Sequence, residues 1–270
     1  SLAHLDAVAR TGPGARVHLH LDVDMARDGA APQEWIALCA AARAWERAGR
    51  LRVVGLMGHL GCADDPGHVA NAWARRRFTW GLRMARGAGL RPTDLHLAAT
   101  AATLHDPQAH HTLSRVGAGL VGIDPSGRST LRGAVRLTAP VVGVREVRPG
   151  TAVGYGHTWF SDRRTRLVLV PLGYADGLPR SAAPGAEVLV GGRRCPVVGR
   201  ISMDMVVVDV GDLPVRLGDE VVVLGPGDDG EPTTREWADW AGTIEHELLC
   251  GLGDRAERHV VGADVVGVLA

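Results

Sequence analysis

The chain has 270 residues, and 30 basic residues balance 30 acidic ones, so the totals lack the electropositive footprint of a DNA- or RNA-binding protein. Apolar residues make up 46% and charged residues 22%, which excludes disorder, and no run approaches the ~20 consecutive apolar residues of a membrane span. Neither a nucleic-acid partner nor a membrane partner is expected.

Residues 1–134 alternate short apolar runs with longer Ala/Arg/Leu-rich stretches, the pattern of strands alternating with helices in a parallel sheet. Strands are predicted over 17–22, 53–59, 95–99 and 114–122, and helices over 32–48, 67–87 and 101–110. A closed eight-stranded α/β barrel needs ~250 residues. This half therefore supplies about half a barrel, and either the sheet is open or strands are missing. From Val135 onward, β-branched runs over 141–147, 166–170, 187–190, 206–210 and 220–224 are punctuated by glycine and predict an all-β domain over 135–270. Thr233 and Glu236 have capping-box spacing and predict a helix there. The junction is expected within 132–140.

The 4 cysteines, Cys39, Cys62, Cys195 and Cys250, show no C-x-x-C spacing, and the chain does not open on a charged segment followed by an apolar stretch. These features predict a cytoplasmic protein with reduced thiols. Lysine is absent, so all 30 basic residues are arginine. Chemistry that needs a side-chain primary amine is outside this sequence's own repertoire.

Several motifs invite a functional reading. Gly225-Pro-Gly-Asp-Asp-Gly230 matches G-x-G-x-x-G after a predicted strand, but its aspartates would repel a phosphate and no helix start follows. A hairpin loop is expected instead. Asp22, Asp24 and Asp28-Gly29 suggest a calcium loop, yet Ala26 occupies a ligand position and the terminal glutamate is missing. His18 and His20 fall on one face of a predicted strand, with His59 and His96 near the ends of later ones. They read either as a metal centre or as imidazoles hydrogen-bonded within a sheet, and the absence of a helix-borne histidine pair favours the second. The chain's 2 tyrosines, Tyr155 and Tyr174, sit in glycine-flanked segments. They are either turn tyrosines or accessible phenols able to exchange a proton.

Those segments are Val153-Gly-Tyr-Gly-His-Thr158, Pro171-Leu-Gly-Tyr-Ala-Asp-Gly-Leu-Pro-Arg180 and Val198-Gly-Arg-Ile-Ser-Met-Asp204. Before them come Val17-His-Leu-His-Leu-Asp-Val-Asp-Met-Ala-Arg-Asp-Gly29, Gly58-His-Leu-Gly-Cys-Ala-Asp-Asp65, His96-Leu-Ala-Ala-Thr-Ala-Ala102 and Arg115-Val-Gly117. In this order they resemble the alanine racemase family of pyridoxal 5'-phosphate enzymes. The resemblance implies the C-terminal part of an α/β (TIM-like) barrel over 1–134, which binds the cofactor, followed by a β domain over 135–270 that completes the active site of a dimer partner.

The resemblance also implies roles. Tyr155 would move the substrate α-proton on one face. Arg115 would face the cofactor's pyridine nitrogen, His59 would bridge these groups, and Thr100 with the Gly117 backbone would hold the phosphate. Arg27 and the Met203 N–H would bind the substrate carboxylate, with Tyr174 and Asp204 at the entrance. Where the family has a tyrosine reaching the phosphate, this sequence has His246; where it has Asn-Ser, this sequence has Ala99-Thr100; and where it commonly has a modified lysine, this sequence has His20. The family's cofactor lysine has no counterpart, so the chain is read as lacking the N-terminal barrel segment and as incompetent alone.

The expected function is interconversion of L- and D-alanine by a homodimer. Alternatives are a racemase of another small amino acid, such as serine, or a degenerate, non-catalytic binding module.

Overall fold

In the computed structural model, which describes residues 1–261, the first unit spans Ser1–Leu131. It contains α1 (Leu2–Thr11), β1 (Ala15–His20), α2 (Pro32–Arg47), β2 (Leu51–Met57), α3 (Val69–Gly87), β3 (Asp94–His96) and α4 (Thr100–His105). Pro32 opens α2, where its missing N–H costs nothing. Trp35, Leu38, Cys39 and Ala42 then form the buried stripe of that helix. The strands form a parallel sheet in the order β1-β2-β3. Leu19 and Leu21 join the core built by Trp35 and Phe78, whereas His18 and His20 alternate with them onto the opposite face. A Cβ at Gly81 of α3 would lie 2.4 Å from Leu21, so the glycine permits the close approach of helix to strand.

Two expectations change here. The helix predicted over 101–110 stops early, because the residue before a proline is driven from the α region: α4 ends at His105 and Pro107 opens a separate 3-10 turn. The strand predicted over 114–122 does not form. The chain around its start docks on β3 and the segment that follows it, with Leu113 N–H, just before the predicted strand, donating to the Leu95 carbonyl at 3.1 Å and Arg115 N–H to that of Ala98 at 3.0 Å. The chain then makes a 3-10 turn over Ala118–Val121, closed by Gly122 at φ 84°.

The second unit begins at Arg132, and residues 262–270 of the predicted β domain lie outside the described residues. It contains β4 (Leu137–Pro140), β5 (Gly143–Val147), β6 (Ala152–Val153), β7 (Trp159–Phe160), β8 (Thr165–Val170), β9 (Glu187–Val190), β10 (Arg193–Val198), β11 (Val206–Gly211), β12 (Glu220–Leu224), α5 (Thr234–Ala241) and α6 (Glu245–Gly251). Among the described residues the main sheet has 7 strands in the order β4-β12-β9-β10-β11-β8-β5. Its edge strands are consecutive in the chain, so the sheet curls. The run predicted as one strand over 141–147 is divided there: Val141 N–H bonds to Asp219 on one side and Val142 N–H to Leu169 on the other. Valines at alternate positions of β8, β9, β11 and β12, which share one face of the sheet, form the core with Trp237 of α5, and the Trp237 indole N–H donates to the Val223 carbonyl at 2.7 Å.

The capping box is present, with Glu236 N–H donating to Thr233 Oγ1 and Thr233 N–H to the Glu236 carboxylate. The glycine-rich loop 225–230 is not a hairpin, since it leads from β12 into α5. Its N–H groups at Gly227 and Asp229 are taken by the Glu231 carboxylate, at 3.0 and 2.9 Å. The chain's own anion occupies the nest that a phosphate would need. No helix among the described residues is long and apolar enough to cross a membrane, and the cysteines are free thiols.

Candidate active site

Strand register sets the first cluster. His18 lies beside Gly55 and Gly55 beside Asp94, while His20 lies beside Met57 and Met57 beside His96. Arg115, arriving on the loop that replaces the predicted strand, reaches the ends of β2 and β3. One terminal nitrogen donates to His96 Nδ1 at 2.9 Å and to the His96 carbonyl at 3.1 Å. The other donates to the Gly58 carbonyl at 2.9 Å, His59 Nδ1 at 3.0 Å and the Leu97 carbonyl at 3.3 Å. Among the described residues its Nε–H has no hydrogen-bond partner.

An arginine only donates, so the Nδ1 atoms of His59 and His96 accept and their protons sit on Nε2. Burial, reinforced by the Arg115 charge, pushes His96 down to about 4. Burial followed by the same charge also lowers His59. Both imidazoles are therefore neutral at pH 7 while the guanidinium keeps its charge, and His59 presents an Nε2–H donor to the site.

Thr100 opens α4 and is buried. Its Oγ1 accepts from Gly119 N–H at 3.2 Å, which leaves the hydroxyl proton to donate beside the Gly117 turn. These donors fit pyridoxal phosphate: the Arg115 Nε–H suits a ring nitrogen, and the Thr100 hydroxyl with the turn N–H groups suits a phosphate.

Arg27 stands on a loop shaped by Asp22, whose carboxylate accepts from the N–H groups of Asp24, Met25 and Ala26. Asp22 is thus an internal turn-former. Asp28 lies between two cations or potential cations, 3.5 Å from Arg27 Nε and 3.8 Å from His20 Nδ1. A cavity of about 510 Å³ lined by His18, His20, Arg27 and Asp28 runs beside β1.

In the second unit the turn at 199–204 carries Met203 and Asp204 and meets the segments of Tyr155 and Tyr174. Gly154 and Gly156 hold φ of 73° and 72° on either side of Tyr155, values that glycine adopts without strain, and Tyr155 is 72% exposed. A Cβ at Gly154 would stand 3.2 Å from Arg200 N, so the Tyr155 loop packs on this turn. Tyr174 N–H donates to the Ser202 carbonyl at 3.0 Å and Ala175 N–H to that of Met203 at 2.8 Å. A Cβ at Gly173 would fall 2.4 Å from the Ser202 oxygen, so only glycine allows this contact. Met203 and Asp204 are exposed, and the Met203 N–H has no partner among the described residues. His246 is part-exposed on α6, and its imidazole makes no hydrogen bond among the described residues.

A second cavity of about 600 Å³ is lined by Arg163, Arg164, Arg166, Arg193 and Arg194. Their guanidinium groups are paired with Asp209, Glu146, Asp212 and Glu236, which leaves little free charge for a ligand. The sequence pattern singled out His18 and His96 but assigned them no part in the site; the available signals were the strand face that His18 shares with His20 and the strand-end position of His96.

Comparison with known proteins identifies the family of the chain. The family model for the alanine racemase N-terminal domain matches residues 1–125, and that for the C-terminal domain matches 134–260. The first match corrects the expectation that the N-terminal segment is missing. The alanine racemase of Frankia casuarinae is 44% identical over 261 residues, covering 94% of this chain and 68% of the relative. That of Thermobifida fusca is 42% identical, covering 96% and 70%. The structure of alanine racemase from Streptomyces coelicolor superposes with a TM-score of 0.93 at 42% identity, over 97% of this chain and 70% of that one. The Bartonella henselae enzyme, solved with covalently bound pyridoxal phosphate, gives 0.83 at 26% identity, over 96% and 71%. Fold, cofactor class and isomerase class agree with these matches: the chain belongs to the alanine racemase family.

Proposed function

We propose that this protein binds pyridoxal phosphate and alanine and takes part in the interconversion of L- and D-alanine in the cytoplasm. The observation that carries the reading is the Arg115 guanidinium, held by two neutral imidazoles with its Nε–H unpaired. Bound pyridoxal phosphate draws electron density from the substrate α-carbon and makes its proton acidic. Arg115 donates to the ring nitrogen and, because arginine does not release its proton, never transfers one to it. Thr100 and the Gly117 N–H hold the phosphate, with His246 as a further donor. Arg27 and the Met203 N–H hold the substrate carboxylate, and Tyr174 and Asp204 line the entrance. His59 turns its Nε2–H toward the reacting groups, and Tyr155 exchanges the α-proton on one face.

The exposure of Tyr155 and Met203 suits a two-fold dimer in which the second unit of each protomer serves the first unit of the other. Racemisation needs a proton partner on both faces, and the family's second partner is a lysine. This 270-residue sequence contains none, so the chain by itself binds cofactor but does not turn alanine over at an enzymatic rate.

The test combines a pyridoxal phosphate titration, a chiral assay over alanine and serine, and light scattering. Saturable binding by a dimer without D-alanine formation is the expected result. Robust turnover would overturn the lysine argument; turnover of serine alone would reassign the substrate. Failure to bind cofactor would favour a non-catalytic module, to which the replacements His20 and His246 also point.

A further inference from the structure

The Arg115 network does not end at His96. His96 Nε2 lies 2.7 Å from His18 Nδ1, and His18 Nε2 lies 3.7 Å from an Asp94 oxygen. Proton placement along this line has one solution. Arg115 must donate to His96 Nδ1, so neutral His96 carries its proton on Nε2 and donates to His18 Nδ1. His18 then carries its own proton on Nε2, facing the Asp94 carboxylate.

The backbone is shaped for this reach. The β1–β2 register shifts between Val17 and His18, which sets His18 beside Gly55. On the middle strand Gly55 has no side chain, and a Cβ there would lie 2.4 Å from His18 Nδ1. The imidazole therefore lies across β2 and meets β3, whose Asp94 and His96 are two residues apart on one face. Rings of His18 and His96 are 4.9 Å apart and tilted by 55°, an arrangement for an in-plane N–H···N bond rather than stacking.

We propose that His18 is a positioning residue: by accepting the His96 Nε2–H across Gly55, it holds His96 in the tautomer that faces Arg115, and with Asp94 it extends the Arg115 network to the surface. The inference rests on the reading of Arg115 as the cofactor-ring residue. His96 is 5% exposed, so without His18 its Nε2–H loses its acceptor in a place water scarcely reaches. That loss favours rotation of the ring and release of Arg115.

The full chain labelled with 15N-histidine tests this directly. The expected signature is an Nε2–H tautomer at both His18 and His96, with scalar coupling between His96 Nε2 and His18 Nδ1 across the hydrogen bond. His18→Leu should abolish the coupling and weaken pyridoxal phosphate binding about five- to tenfold, the effect of one lost hydrogen bond. His18→Gln, which keeps an acceptor oxygen, should restore most of that affinity, and Gly55→Ala should reproduce the loss while leaving every polar side chain in place. A His18 proton on Nδ1, absent coupling in the unmodified chain, or His18→Leu binding cofactor as tightly as its parent would each overturn the proposal. Coupling in a chain that binds no pyridoxal phosphate would instead sink the cofactor reading of Arg115 and leave the hydrogen-bonded line standing.

Discussion

Arg255 forks onto Asp176, Nε to Oδ1 and a terminal nitrogen to Oδ2, each at 2.6 Å. The same carboxylate accepts from Gly173 N–H at 2.8 Å, so it ties a distant arginine to the turn that presents Tyr174. Asp176 is 4% exposed, and the Arg255 hydrogen bonds hold its carboxyl below the usual range against the opposing effect of burial. Arg255→Ala should lower stability near neutral pH, because the buried Asp176 carboxylate is left short of donors. A carboxyl with a depressed folded pKa stabilises above its unfolded value near ~3.9 and loses that contribution as pH falls through the folded one. The deficit of the variant should therefore shrink below about pH 4, as chemical denaturation across pH would show.

Histidine burial predicts a second acid-sensitive limb. His96 falls from its ordinary 6.5 to about 4 in the folded chain, so between these values the unfolded state binds more protons. Stability must then decline as pH drops from 6.5 toward 4, with His20 and His59, also lowered by burial first, adding to the slope. His96→Gln should flatten the decline between pH 6.5 and 5, above the range where carboxylates titrate, as read from thermal melts.

Tyr155 is assigned to proton transfer rather than to binding. With free pyridoxal phosphate and alanine in heavy water, the chain should accelerate α-deuterium incorporation on one face. Tyr155→Phe should remove that acceleration, by roughly 10²-fold or down to the free-cofactor background, while cofactor affinity stays within about twofold. Proton NMR of the alanine and a parallel binding titration read the two effects separately. Undiminished exchange in the variant would take Tyr155 out of the mechanism.

Thr100 offers a test of the phosphate assignment. Thr100→Val keeps the shape but deletes the hydroxyl that accepts from Gly119, and should weaken pyridoxal phosphate binding about tenfold. Thr100→Ser should bind nearly as the parent does. Inorganic phosphate should compete with cofactor in the parent and less effectively in the valine variant.

By itself, the sequence determined the character of each half, because alternation and helical periodicity are local properties that the strands β1, β2, β9 and β12 and the helices α2 and α3 express within their own residues. It also carried the segments that mark the family. β10 was not legible: its Arg193-Arg194-Cys195-Pro196 run lacks apolar alternation, and it becomes a strand by pairing with β9 up to Pro196 and with β11 from Val197. Nor was α1, whose short segment gains its place from Leu5 and Ala9 in the core. Only the tertiary structure decided the partners of Arg115, since a loop expected as a strand instead carries that guanidinium to the ends of two others. The same holds for His18, which reaches His96 because register puts a glycine between them. Periodicity states which way a side chain points along its own strand; what it meets depends on register and loop path, set by residues far away in the chain.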